Sequence, residues 1–259
     1  MNVHQPQIRP PQSEPLPLAS ALEIAVESKT FAAVAGRAAH TVLRNVRLSI
    51  APRSFVVITG PSGCGKSTLL NILAGLDTAF EGSLQFGAAD PRLTMIFQTP
   101  RLLPWRTVEQ NIALALPDGD ARHANIPDLL ARVGLSGAET AYPERLSLGM
   151  QRRVAIARGF MVEPDILLMD EPFVSLDDPT ASGLRTLVVE LWQRHKATIV
   201  CVTHDRTEAV RLATRVVQMG VLDETMTSSI VSDKPVTLTE AERCDPSMLA
   251  AATAQVFAK

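Results

Sequence analysis

The sequence predicts an α/β fold built on a parallel sheet with crossover helices. Three observations predict it. Short apolar runs at 54–59 (SFVVIT), 93–97 (LTMIF), 166–169 (ILLM) and 197–203 (ATIVCVT) have the length and composition of buried strands. Helical patterns lie between them, as parallel strands require. The first run stops at Gly60-Pro61, a tight-turn signal that leads into a helical stretch at 66–74.

The other elements follow in order. Residues 1–20 carry Pro6, Pro10, Pro11, Pro15 and Pro17, lack apolar periodicity, and read as a disordered leader. Residues 21–26 read as a first strand. Residues 41–50 read as a second, through Val42, Leu43, Val46, Leu48 and Ile50. From 108 to 160 strand signals are few and the chain reads as mainly helical. After Met219 the pattern weakens, leaving a short terminal helix at 249–258 and no second domain. No internal repeat is evident.

Bulk properties narrow the class. A length of 259 residues with 46% apolar content suits a packed globule. A net charge of −2 gives no global attraction to nucleic acid or anionic membrane. Cys64, Cys201 and Cys244 are far apart, which fits neither a metal cluster nor a disulfide framework. No apolar run approaches the about 20 residues of a membrane helix. The first residues lack the basic and apolar regions of a signal peptide. Work at a membrane would need another protein to hold this one there.

Gly60-Pro61-Ser62-Gly63-Cys64-Gly65-Lys66-Ser67-Thr68 matches the phosphate-loop pattern G-x-x-x-x-G-K-[ST] at every fixed position. Its glycines let successive amides turn inward on a phosphate. The following helix adds its positive end. Lys66 supplies a point charge to the outer phosphates, Ser67 a hydroxyl for Mg²⁺, and Thr68 a bond on the α-phosphate side. Cys64 reads as a small loop residue rather than a redox centre.

The strand at 166–169 ends in Asp170-Glu171. Ligands of parallel sheets gather at such strand ends. Asp170 is placed to hold Mg²⁺ through water. Glu171, pointing elsewhere, is placed to polarise an attacking water. Such a pair alone is also an ordinary helix cap. The phosphate loop upstream makes the catalytic reading the stronger one.

Further elements accompany these two: Gln98 after the strand at 93–97, Leu146-Ser147-Leu148-Gly149-Met150 before a basic helix at 151–159, Ser175-Leu176-Asp177, and Thr203-His204-Asp205. In this order and spacing the chain resembles the ATP-binding cassette (ABC) family over roughly residues 21 to 220. The resemblance implies a P-loop ATPase core with a parallel sheet, an antiparallel β subdomain and a helical signature subdomain. It places an ATP-binding domain at 21–225, with the helical part at about 99–160, and a short C-terminal tail at 226–259. The implied activity is ATP hydrolysis coupled to transport, with ATP and Mg²⁺ as cofactors.

The implied roles attach to individual residues. Gln98 touches Mg²⁺ and water, and its loop senses a membrane subunit. Ser147 and Gly149 bind the γ-phosphate held by a partner copy, aided by the helix beginning near Gln151. Asp177 lies in the loop crossing the dimer interface. His204 holds the γ-phosphate and positions the water. Phe31 is the candidate for stacking on adenine. Leu148 and Met150 depart from the usual L-S-G-G-Q, and Leu148 is expected to narrow the approach of the partner's nucleotide and slow turnover.

One cassette per chain implies that a second chain completes each site, as a head-to-tail homodimer or a heterodimer with a similar subunit. Met150 and residues 97–105 (FQTPRLLPW) resemble the importers of nitrate, sulfonates and taurine. That group implies a separate membrane permease, a solute-binding protein, and a peripheral place on the cytoplasmic face of the inner membrane. Arg101, Leu102, Leu103 and Trp105 are then the surface for the permease, with burial in the helical arm as the alternative. Two other readings compete. A nontransport cassette acting on nucleic acid or ribosomes would favour a basic balance, and no nucleic-acid partner is expected. A regulatory module holding ATP without turnover is opposed by Glu171 and His204.

Overall fold

The computed structural model describes residues 21–33, 38–222 and 226–258, so the leader at 1–20 lies outside the described residues. In chain order the elements are β1 (Leu22–Phe31), β2 (His40–Ile50), β3 (Phe55–Thr59), α1 (Lys66–Leu73), β4 (Glu81–Phe86), β5 (Leu93–Ile96), α2 (Val108–Ala113), α3 (Ile126–Arg132), α4 (Leu148–Met161), β6 (Ile166–Asp170), α5 (Asp178–His195), β7 (Thr198–Val202), α6 (Arg206–Leu212), β8 (Arg215–Val221), β9 (Ser228–Pro235), α7 (Glu240–Cys244) and α8 (Pro246–Val256). They divide into two compact units. One comprises residues up to 91 and from 198 onward; the other comprises 92–197.

In the first unit the strands run in the order β4-β1-β2-β9-β8-β3-β7. β3 lies parallel to β7 and to β8. All five residues of β3 and of β7 are buried, the signature of a strand covered on both faces. β1 pairs antiparallel with β2 and β4, which makes the antiparallel layer. In β1 the first residues alternate between buried and more exposed, with Leu22, Ile24 and Val26 inward, and the strand runs on to Phe31. β9 pairs antiparallel with β8 and meets β2 at Leu43–Ser228. Residues 226–258, read from sequence as a short tail with a terminal helix at 249–258, carry that helix as α8 and, in addition, a sheet strand and the short helix α7. α8 packs on α6, and Arg206 lies 4.9 Å from the Phe257 ring centroid.

In the second unit β5 and β6 pair in parallel, Leu93 opposite Ile166 through Ile96 opposite Met169. Helices α2, α3 and α4 pack together. α2 begins on a capping box in which Thr107 and Gln110 satisfy each other's backbone amides. α5 is capped by Asp177 and ends at Lys196 in the left-handed region. No helix among the described residues is long and apolar enough to cross a membrane.

Candidate functional site

In the first unit β3 runs into the phosphate loop and α1 leaves it. Gly65 is the N-cap of α1, at φ 86, with no side chain capping the helix. A Cβ there would stand 2.6 Å from Val42 Cγ1 and 2.7 Å from Leu43 Cδ2. A Cβ at Gly60 would stand 2.6 Å from the Met219 carbonyl oxygen. The loop is pressed against its own sheet, and only glycine fits at both points. The start of α1 presents the positive end of its helix dipole, an anion-seeking end.

Lys66 stands inside this loop. Its ammonium donates to the Gly60 and Pro61 carbonyls, both at 2.9 Å, and approaches Cys64 Sγ at 3.9 Å. Only 6% of it is exposed. Burial raises the Cys64 thiol pKa, against the opposing pull of Lys66. The thiol is therefore protonated at neutral pH and is a poor nucleophile. Ser67 is exposed and Thr68 half-buried.

His204 follows β7 in the same unit and is exposed. The turn that carries it is held from both sides. Buried Thr203 donates through Oγ1 to Glu208 Oε2 at 2.7 Å and accepts from the Asp205 amide at 3.1 Å. Asp205 caps α6 by accepting from the Glu208 amide at 3.0 Å. Glu208 thus braces the turn from inside the fold, a role that E-A-V-R in sequence does not announce. Glu208→Ala is expected to lower unfolding free energy by about 1–3 kcal/mol, the cost of stranding buried polar partners. Chemical denaturation of the full chain reads this directly; an unchanged midpoint would remove Glu208 from the brace. Phe31, at the end of β1, is 46% exposed. The Lys29 ammonium lies 4.6 Å from its ring centroid and is anchored by Asp77 at 2.7 Å.

The second unit carries the remaining candidates. Gln98 is exposed just after β5. The segment behind it is tied down: Arg101 stacks 3.6 Å from the Phe97 ring centroid, and Arg158 of α4 donates to the Pro100 and Arg101 carbonyls at 2.9 and 3.0 Å. Asn111, fully buried, accepts from the Leu103 amide at 2.7 Å and donates to the carbonyls of Leu103, Arg106 and Thr107. That one side chain shapes the turn on which Trp105 stands 69% exposed. Leu102 and Leu103 are half-buried.

The basic helix starts earlier than its sequence suggests. α4 begins at Leu148 rather than near Gln151, because Ser147 is its N-cap and accepts from the Met150 amide at 3.2 Å. Ser147 and Leu148 are exposed, and Gly149 is buried. A Cβ on Gly149 would meet Thr180 Cγ2 at 2.6 Å, so α5 requires glycine there. The positive end of α4 thus lies at Ser147 and Gly149 themselves.

Asp170 closes β6 and is half-buried. Glu171 comes next at φ 44, a conformation that side chains rarely adopt. The departure from strand geometry begins at the residue read as the base. Asp177 caps α5, and its hydrogen bonds from Thr180, side chain first and amide second, hold its carboxyl below the usual carboxylate range. The phosphate loop, Phe31 and His204 thus belong to one unit; Gln98, Ser147, Gly149, Asp170, Glu171 and Asp177 belong to the other.

The ABC transporter family model matches residues 43–174. The aliphatic sulfonates import ATP-binding protein SsuB 2 of Pseudomonas syringae pv. tomato is 44% identical over 226 residues, covering 87% of this chain and 92% of that protein. The aliphatic sulfonates import ATP-binding protein SsuB of Bacillus subtilis is 45% identical over 198 residues, covering 74% and 77%. Among solved structures, a post-hydrolysis dimer of the ATP-binding cassette MJ0796 bound to ADP and Pi matches with a TM-score of 0.70 at 29% identity, covering 84% of this chain and 100% of that one. Another dimeric structure of MJ0796, described as a bacterial ABC transporter cassette, matches with a TM-score of 0.72. These relatives are transport proteins, and they lend no support to a nontransport role on nucleic acid or ribosomes. The chain belongs to the ABC transporter family, as a nucleotide-binding, ATP-hydrolysing subunit of its importer branch.

Proposed function

We propose that this chain energises import of an aliphatic sulfonate or a related small solute through a separate permease. Identity of 44–45% to two sulfonate importers, over most of their length, carries the choice of solute class. On this reading the chain sits peripherally on the cytoplasmic face of the inner membrane, and a solute-binding protein delivers the cargo. Two identical copies close head-to-tail on ATP, in keeping with the dimeric cassettes it resembles.

The residues divide the work. Amides of residues 60–68 and the Lys66 ammonium hold the phosphates. Phe31 stacks on the adenine. Mg²⁺ takes a few hard protein oxygens and shares its shell with phosphate and water. The hydroxyl of Ser67, the amide oxygen of Gln98 and the carboxylate of Asp170 are donors of that kind and would hold it, and it would neutralise charge on the phosphates. Glu171 draws the proton from the attacking water, and His204 positions that water against the γ-phosphate. Ser147 and Gly149 close on the partner's nucleotide with the positive end of α4, and Asp177 lies at the dimer interface. Leu148, 41% exposed beside them, slows that closure. Leu148→Gly is expected to raise the ATPase rate; an unchanged rate and unchanged ATP-driven dimerisation would remove Leu148 from this role.

The solute reading is tested by uptake. The chain, co-expressed with a sulfonate permease and its binding protein, should support ATP-dependent uptake of labelled ethanesulfonate. Uptake of nitrate without sulfonate would overturn the solute class. Trp105 supplies a separate test of coupling. Trp105→Ala is expected to reduce uptake about tenfold or more while basal ATPase stays intact, the pattern of a lost interface anchor. The 69% exposure of Trp105 already argues against burial in the helical arm, and unchanged uptake would remove Trp105 from the interface.

A further inference from the structure

Arg152 is a buried cation that the roles above leave unused. It lies in the second turn of α4, and only 6% of it is exposed. Its Nη1 donates to the Glu171 carbonyl at 3.4 Å and to the Pro172 carbonyl. The Glu171 carbonyl also accepts from the Val174 amide at 3.3 Å, closing a turn whose Phe173 ring is buried. Glu171 holds its left-handed φ inside this turn. A non-glycine residue keeps such a conformation only where its surroundings impose it. Here a guanidinium grips the peptide on the C-terminal side of Glu171, and α4 carries that guanidinium.

One turn earlier on the same helix lies the signature. Ser147 caps α4, and Gly149 is packed against Thr180. A helix transmits a small displacement of its first turn to its second with little loss, because the hydrogen-bond ladder between them is short and stiff. We propose that Arg152 is a positioning residue that ties the signature end of α4 to the peptide carrying Glu171. A γ-phosphate captured at Ser147 and Gly149 from the partner's nucleotide is then felt at Glu171, which serves the chain's own nucleotide. Each ATP site of the dimer would be informed of the other through one side chain. This rests on the assignments of Ser147 and Glu171 made above. The plainer account is a buried arginine that stabilises a turn and conveys nothing.

A double-mutant cycle in the full chain separates the two accounts. ATP turnover is measured for Arg152→Met, Ser147→Ala and the pair, with affinity for a fluorescent ATP analogue measured alongside. Arg152→Met should lower kcat about tenfold or more, the scale of a small misplacement of a reacting group, with affinity changed less than about twofold. Arg152→Lys should restore part of the rate. The pair should lose little more than the larger single loss, because both break one relay. Unchanged kcat in Arg152→Met overturns the proposal. So do a joint fall of kcat and affinity, and single losses that multiply in the pair. Should Arg152→Met fail to fold, Arg152→Lys carries the same cycle, with a smaller loss that must again fail to multiply with that of Ser147→Ala. Full activity in Ser147→Ala alone removes the signature assignment, and the relay with it. Full activity in Glu171→Gln refutes the base assignment instead, which is a separate failure.

Discussion

Glu171→Gln is expected to cut ATP turnover by about 10²–10⁴-fold, the range of a lost general base. Nucleotide affinity should hardly change. The amide is nearly isosteric, so the turn from Glu171 to Val174 and the grip of Arg152 on its carbonyls can persist. What disappears is the acceptor for a proton from water. A fall in kcat at constant affinity is the mark of an interaction made in the transition state alone. Single-turnover kinetics with labelled ATP check this. Turnover within about twofold of the native rate would move the base elsewhere and leave Glu171 as a structural residue.

Lys66→Met should fail differently, at binding. The native ammonium is buried and held by two carbonyls of its own loop at 2.9 Å. Methionine keeps the stem and removes the charge, so packing of α1 on the sheet can survive. Affinity for ATP should fall on the order of 10²-fold or more, the scale of deleting a desolvated charge from a charge-paired contact. Isothermal titration reads the loss, and circular dichroism checks that the fold is kept. Together the two variants separate holding the phosphates from attacking them. Native affinity in Lys66→Met would remove Lys66 from the phosphate ligands.

Much of this was readable from residues. The strands around the phosphate loop were legible because each is buried on both faces and therefore continuously apolar, as in Phe55–Thr59 and Thr198–Val202. The loop was legible because backbone geometry demands glycine at fixed places, and Gly60 and Gly65 both lie where a Cβ would collide. β9 was not legible. Its sequence SSIVSDKP offers little apolar alternation, and its place is set by the ladder to β8. β4, EGSLQF, is mostly exposed and is fixed likewise by pairing with β1. The start of α4 was hidden because Gly149 sits in its first turn and reads as a breaker; the contact with Thr180 that requires it comes from a distant helix. Asn111, Arg152 and Glu208 were missed for one reason. Each braces a turn through a partner set by the folded backbone, main-chain carbonyls for Asn111 and Arg152 and the Thr203 hydroxyl for Glu208, and local pattern holds no record of such partners.

Two copies of this chain are expected to close on ATP through Ser147 and Gly149. Sedimentation of the full-length Glu171→Gln chain, with and without MgATP, tests this most directly. A monomer without nucleotide should become a dimer with MgATP. Adding Ser147→Asp, which keeps the helix cap but sets a negative charge against the incoming phosphate, should prevent that dimer. A chain that binds MgATP and stays monomeric, or a dimer indifferent to Ser147→Asp, would contradict the account.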